Sequence, residues 1–199
     1  MTRGAALPRR ASRAALLLAL LAAAGVAAAG NPPREYLDEE TGATITVVDQ
    51  PLVFAYPRQD LAANARDYAT LAAAAVNRGG KIDYVLIVYF WSTADPRLRS
   101  DVLPSGEPLL LQADDRRIVL RLHGHSAHEA GIGVPVHAPP GSPVPPNVYA
   151  SDLATMRFIA AARRLALLAD NEHTTLSFDL WEDRRAALRE FVRHMSGED

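Results

Sequence analysis

The 199-residue chain has no cysteine, a single lysine (Lys81) and few aromatic residues. Without cysteine, neither a disulfide scaffold nor a cysteine-based zinc finger is open to it, and an oxidising compartment would add no covalent staple. It has only one long hydrophobic run, close to the N-terminus, which excludes a polytopic membrane protein. A shortage of apolar residues is not among its lacks. At 49% hydrophobic and 22% charged, it is a folding chain rather than a disordered one. The length suits one globular domain.

The N-terminal run reads as an address. Arg3, Arg9, Arg10 and Arg13 precede an uninterrupted apolar stretch from Ala14 to Ala24, and Ala27-Ala28-Ala29 supplies small side chains for cleavage before Gly30. That order of basic start, short apolar middle and small-residue exit predicts a secretory signal peptide over residues 1–29, with a single exported domain over 30–199. The apolar middle is short for a membrane span, so no stable span is expected after cleavage. Arg9-Arg10 lacks the flanks of a twin-arginine signal, so the general export route is expected. With no cysteine at the cleavage point, a lipid anchor is not expected. The predicted location is periplasmic or secreted. Loss of the four arginines leaves 17 basic residues against 23 acidic, a formal charge of −6. A nucleic-acid partner is therefore not expected, since its footprint is a basic stripe.

Beyond the leader, strand patterns dominate. Asp38, Glu39 and Glu40 form an acidic cluster read as a solvated edge. Ala43–Asp49 is β-branched and roughly alternating, and Leu52–Tyr56 is a second apolar stretch bounded by Pro51 and Pro57. Residues 60–65 read as a helical turn and 66–77 as a strand, although alanine and leucine there also suit a helix. Gly79-Gly80 then gives a hairpin turn into Ile82–Thr93, the strongest strand in the chain. A second hairpin is expected from 108–113 and 117–122. Residues 124–147 hold four glycines and six prolines with little periodicity, and read as a long loop, functional or mobile. Ser151 or Asp152 caps a helix to about Ala162, strands follow at 165–169 and 174–181, and a helix from Glu182 to Met195 ends at Gly197. In the last strand Leu176, Phe178 and Leu180 point one way and Thr175, Ser177 and Asp179 the other. The expected fold is α+β, a predominantly antiparallel β-sheet of sandwich-like hairpins with a C-terminal helix–hairpin–helix unit.

One stretch carries the residue types of chemistry. Residues 118–133 hold His123, His125 and His128, half of the six histidines, with Glu129 beside them. Ligands at i and i+2 on an extended segment share a side, and imidazole suits zinc. The run resembles the H-x-H-x-D-H signature of the metallo-β-lactamase fold. That resemblance implies His123, His125 and His128 as zinc ligands, with Ala127 standing where the family has an aspartate of its second metal site. Gly124-His125-Ser126-Ala127 also resembles the G-x-S-x-G nucleophile elbow of the α/β-hydrolases, which implies Ser126 as nucleophile, with His128 in place of the last glycine. Each match lacks one residue its family needs, and each scaffold calls for elements not visible in this sequence. The three histidines are therefore expected to be solvated loop residues. The zinc-binding or zinc-hydrolase reading, with Glu129 as base, is the alternative.

Other candidates are aromatic. Tyr84, Tyr89 and Trp91 on the long strand, beside Phe90, suit a peptide or glycan groove, whereas Trp181 at a strand–helix junction reads as a packing plug. Neither Glu39-Glu40 nor Asp114-Asp115 spans a cleft as glycosidase carboxylates do. Gly79-Gly80 lacks the spacing of a phosphate loop. The expectation is a non-catalytic accessory or binding module, without a cofactor, whose partner is an envelope protein, peptide or glycan. The loop 124–147 and the exposed side of the 84–91 strand are the surfaces expected to bind it.

Overall fold

A computed structural model describes residues 30–95, 97, 104, 107–133, 136–140, 145–170 and 174–198. The predicted signal peptide lies outside the described residues. Ten strands and two helices follow in order: β1 (Arg34–Asp38), β2 (Ala43–Val47), β3 (Leu52–Pro57), β4 (Arg66–Arg78), β5 (Lys81–Ser92), β6 (Leu109–Ala113), β7 (Arg116–Gly124), β8 (Asn147–Ser151), α1 (Leu153–Ala161), β9 (Leu165–Asp170), β10 (Thr175–Glu182) and α2 (Arg185–Ser196). The antiparallel β structure and the C-terminal helices agree with the expectation from sequence, but the expected sandwich-like arrangement is overturned: the sheet closes on itself.

The strands close into an eight-stranded barrel in the order β4-β3-β10-β9-β6-β7-β8-β5, with β5 returning to β4 and every pair antiparallel. Closure depends on β8, which starts where the expected 124–147 loop ends and falls in residues to which the sequence assigns no element. Its neighbours Val148 and Tyr149 are both buried, so the five-residue strand lacks the alternation that marks a half-buried strand. β4 takes two partners along one edge. Arg66–Leu71 pairs with β3, and Ala74–Asn77 pairs with β2, which carries β1 as an outer strand.

Register decides which face each side chain takes, because directly opposed residues lie on the same side of a sheet. Phe54, Leu71, Leu86, Val88, Phe90, Leu111, Leu167 and Phe178 point inward and are buried. At the centre the Phe178 ring lies 5.8 Å from both Tyr56 and Phe90, in tilted and edge-on contacts that aromatic quadrupoles favour. Near Arg66 the inward Asp67 is fully buried and accepts from the Arg58 guanidinium at 2.9 Å, while Asp60 accepts from the other side of that group. The predicted helical turn at 60–65 is a pair of turns on Arg58 O and Ala62 O, not a helix.

The helices lie together at the opposite end. α1 starts where Asp152 accepts from Thr155 N at 2.6 Å, and α2 stops at Gly197, whose φ of 67° suits glycine best. Arg189 donates to Ala160 O, and Arg185 donates to Ala162 O and to Asp183. Asp114, in the β6–β7 turn, accepts from the backbone of Arg163 and Arg164 and so ties α1's exit to the barrel rim.

β4 and β5 are buried on both faces, which a solvated sandwich surface cannot explain. Residues 127–133 and 136–137 lie across their outer side as a strap. Arg78 donates to Ala130 O, Asp38 accepts from Gly133 N at 2.8 Å, Tyr89 bonds the backbone of Val136, and His137 Nε2 meets Val48 O at 2.6 Å. Ala130, Ile132 and Val136 are buried in the common core. Within the loop expected to be functional or mobile, this stretch is therefore a packed layer. Asp38, expected on a solvated edge, is buried because it anchors that layer. The Gly133 N–H is the largest of the contacts that hold its carboxyl below the usual range, against the opposing effect of burial.

Candidate binding face

The hairpin of β4 and β5 turns at Gly79-Gly80, whose φ values of 59° and 92° match what a two-residue connection requires. That turn pairs Arg78 with Lys81 and, counting back along the ladder, Tyr68 with Trp91. Both rings project from the outer surface and stack at 4.2 Å with their planes 12° apart. Trp91 Nε1 donates to Thr70 Oγ1 at 3.0 Å, which fixes the indole from beneath. Arg66, two residues before Tyr68 on the same face, lays its guanidinium 4.6 Å from the centre of the Trp181 ring. Trp181 is 54% exposed. The packing-plug reading is thus corrected: Trp181 sits at a bulge in β10, between Leu180 opposite Phe54 and Glu182 opposite Val53, and its ring stays on the surface. Ala55, between Tyr68 and Asp179 in the register, keeps the sheet low beside the band. The result is a band of indole, guanidinium, phenol and indole across β10, β3, β4 and β5.

Of the three aromatic residues singled out by sequence, only Trp91 belongs to this band. Tyr84 is of opposite parity and faces inward, half-buried against the core. Tyr89 shares the outer face with Trp91 but lies under the strap, where burial raises its hydroxyl above the ordinary tyrosine range. Tyr68, Arg66 and Trp181 were missed. Counting from the glycine turn would have found Tyr68.

The histidine stretch resolves differently. β7 ends at Gly124, and His123, His125 and His128 are all exposed. Glu129 folds back so that Oε2 accepts from His125 N at 2.9 Å, and Ser126 Oγ accepts from Glu129 N at 3.2 Å. Both side chains therefore brace a turn. Among the described residues no three histidine, aspartate or glutamate side chains come together in an arrangement that could hold a metal ion. The antiparallel barrel has neither the layered scaffold of the metallo-β-lactamases nor the parallel sheet and post-elbow helix of the α/β-hydrolases.

No helix of the described residues is long and apolar enough to cross a membrane. Fold and face together define an antiparallel β-barrel module with a packed interior and an aromatic outer band. Comparison with known proteins finds no matching family model, curated protein or solved structure.

Proposed function

We propose that the chain is an exported, non-catalytic binding module that holds an envelope component, a protein, peptide or glycan, against the outer band formed by Trp181, Arg66, Tyr68 and Trp91. The observation that carries this reading is the band itself, with Trp181 exposed and Arg66, Tyr68 and Trp91 half-buried at the surface. Trp181 and the Tyr68–Trp91 stack present flat apolar planes beside a cation, on rigid strands rather than on a loop. Tryptophan, tyrosine and arginine are the residues that most often dominate binding energy, the two aromatics because they offer a large contact at small entropic cost and arginine because its planar cation stacks and forks. The polar edges fit as well, with the indole N–H of Trp91 already satisfied within the protein, so a ligand meets mainly its ring. Serving as a platform also explains why residues at 124–131 need no catalytic geometry: Ser126 and Glu129 are used in making their turn.

The test is a sedimentation assay with purified peptidoglycan sacculi and, separately, intrinsic fluorescence titration with solubilised envelope proteins. Binding to one of the two is expected, with Trp91→Ala and Trp181→Ala each weakening it by roughly tenfold or more. Binding that both variants leave unchanged, or no binding to either preparation, refutes the proposal.

A further inference from the structure

A separate part of the wall has an incomplete ladder. β7 pairs with β6 along Arg116–Leu120, but meets β8 only at Arg121, Leu122 and Gly124. β8 ends at Ser151 and the chain turns into α1, so the lower half of β7 has a strand on one side only. Backbone groups of an antiparallel strand alternate between its two edges. Part of the N–H and C=O set of residues 116–120 therefore faces away from β6. What lies there is a notch of about 300 Å³ between Ile118–Arg121 and the residues from Ala150 to Thr155. Ser151 lines it, and its Oγ is buried with no hydrogen-bond partner. On the outer face beside the notch Val119 is 62% exposed. It stands between Arg117 and Arg121, both exposed; Arg121 has no ion-pair partner among the described residues, and Arg117 reaches only Gln112 Oε1.

We infer that this edge of β7 accepts an extended acidic peptide as an added strand beside residues 117–120. A polypeptide main chain offers alternating donors and acceptors at the spacing the edge presents, which neither a sugar nor a lipid does. A carboxylate opposite Arg117 meets that guanidinium, a β-branched residue two positions along covers Val119 on the same face, and a second carboxylate at the end of the strand reaches the Arg121 guanidinium past Ala150, which holds the place opposite Arg121. A second copy of this chain fits poorly. Antiparallel pairing of two β7 edges about Val119 sets Arg117 of one copy opposite Arg121 of the other, and like charges directly opposed are unfavourable. The same arginines thus guard the edge against self-association while selecting an acidic partner. The site does not depend on the aromatic band, since β8 separates β7 from β5 and the band lies on β10, β3, β4 and β5.

The test uses the purified protein and a blocked pentapeptide Glu-Thr-Val-Thr-Glu, whose glutamates and valine share one face of an extended strand. Its controls are the counterpart with lysine in place of glutamate and two acidic peptides N-methylated on one or the other alternate set of amides. Fluorescence anisotropy reads affinity, and amide hydrogen exchange reads the place of contact. The acidic peptide is expected to bind and slow exchange within residues 116–120, with the lysine peptide weaker by at least about tenfold. Methylation of one amide set is expected to abolish binding, and methylation of the other to be tolerated, because only alternate amides face the added edge. The double variant Arg117→Glu/Arg121→Glu, at exposed positions, is expected to invert the charge preference while keeping its circular dichroism. Equal binding of both methylated peptides, no protection at 116–120 at millimolar peptide, or protection that rises with protein concentration without peptide overturns the inference. The last of these outcomes would identify a second copy as the occupant.

Discussion

Ile132 gives the sharpest test of whether the strap formed by residues 127–133 and 136–137 is a structural layer. It sits in a segment rich in glycine and proline, yet it is 1% exposed and belongs to the same core as β4 and β5. Ile132→Ala removes three carbons. At about 0.8 kcal/mol for each buried methylene-sized group, the lost transfer energy is roughly 2.4 kcal/mol. A cavity term raises the total to about 3 kcal/mol, because the tethers from Arg78, Asp38 and His137 limit collapse of the strap onto the sheet. For a domain near this size the urea dependence is about 2 kcal/mol per molar, so the unfolding midpoint should fall by roughly 1.5 M. Thermal unfolding should fall by about 6–12 °C. Val119→Ala, on the exposed face of β7, is the control and should change stability by less than about 0.5 kcal/mol. Urea denaturation followed by far-UV circular dichroism measures both. A loss for Ile132→Ala no larger than the control's would mean that the strap is a solvated loop. The double burial of β4 and β5 would then need another cause.

Asp67→Ala removes the fully buried carboxylate that accepts from the Arg58 guanidinium, and should cost about 3 kcal/mol or more in chemical denaturation; a change under about 1 kcal/mol would show that the pair is solvated. Asp38 and Asp49 have depressed folded pKa values, Asp38 chiefly through Gly133 N–H and Asp49 chiefly through the Asn31 amide and then Arg34. Their stabilisation is therefore complete above the unfolded carboxylate value near pH 4 and is lost as pH falls through the lower folded values. Asp38→Asn should accordingly be less stable than the parent at pH 7, with the gap narrowing towards pH 2; a gap that stays constant with pH contradicts the assignment. Because the three imidazoles of the 123–128 turn do not meet at a point, zinc added to the dialysed protein should not be retained at one equivalent in a manner lost in the His123→Ala/His125→Ala variant, as atomic absorption would read. Arg66→Ala should increase quencher access to Trp181, which loses the guanidinium over its ring, and fluorescence quenching by neutral acrylamide would show it.

Local pattern carried much of the secondary structure. The turn at Gly79-Gly80, the alternation of Leu176, Phe178 and Leu180 against Thr175, Ser177 and Asp179, and the stop at Gly197 each fix an element from interactions a few residues apart. Even half of the aromatic band was readable, since hairpin register alone puts Tyr68 beside Trp91. Closure was not readable. Whether hairpins stack or curl into a barrel depends on β5 finding β8 and β10 finding β3, contacts between residues about 60 and 125 positions apart. Nothing in a local period reports such a pairing. The strap illustrates the same limit: Ile132 looks like one apolar residue among glycines and prolines, and only the sheet beneath it makes it core. The histidine run shows the converse, in that ligand-like spacing along the chain does not bring imidazoles together unless another segment supplies the missing partner. Short-range sterics and side-chain alternation thus determined the strands, turns and helices, while the long-range pairing of strand edges decided which surfaces were buried and which were left exposed.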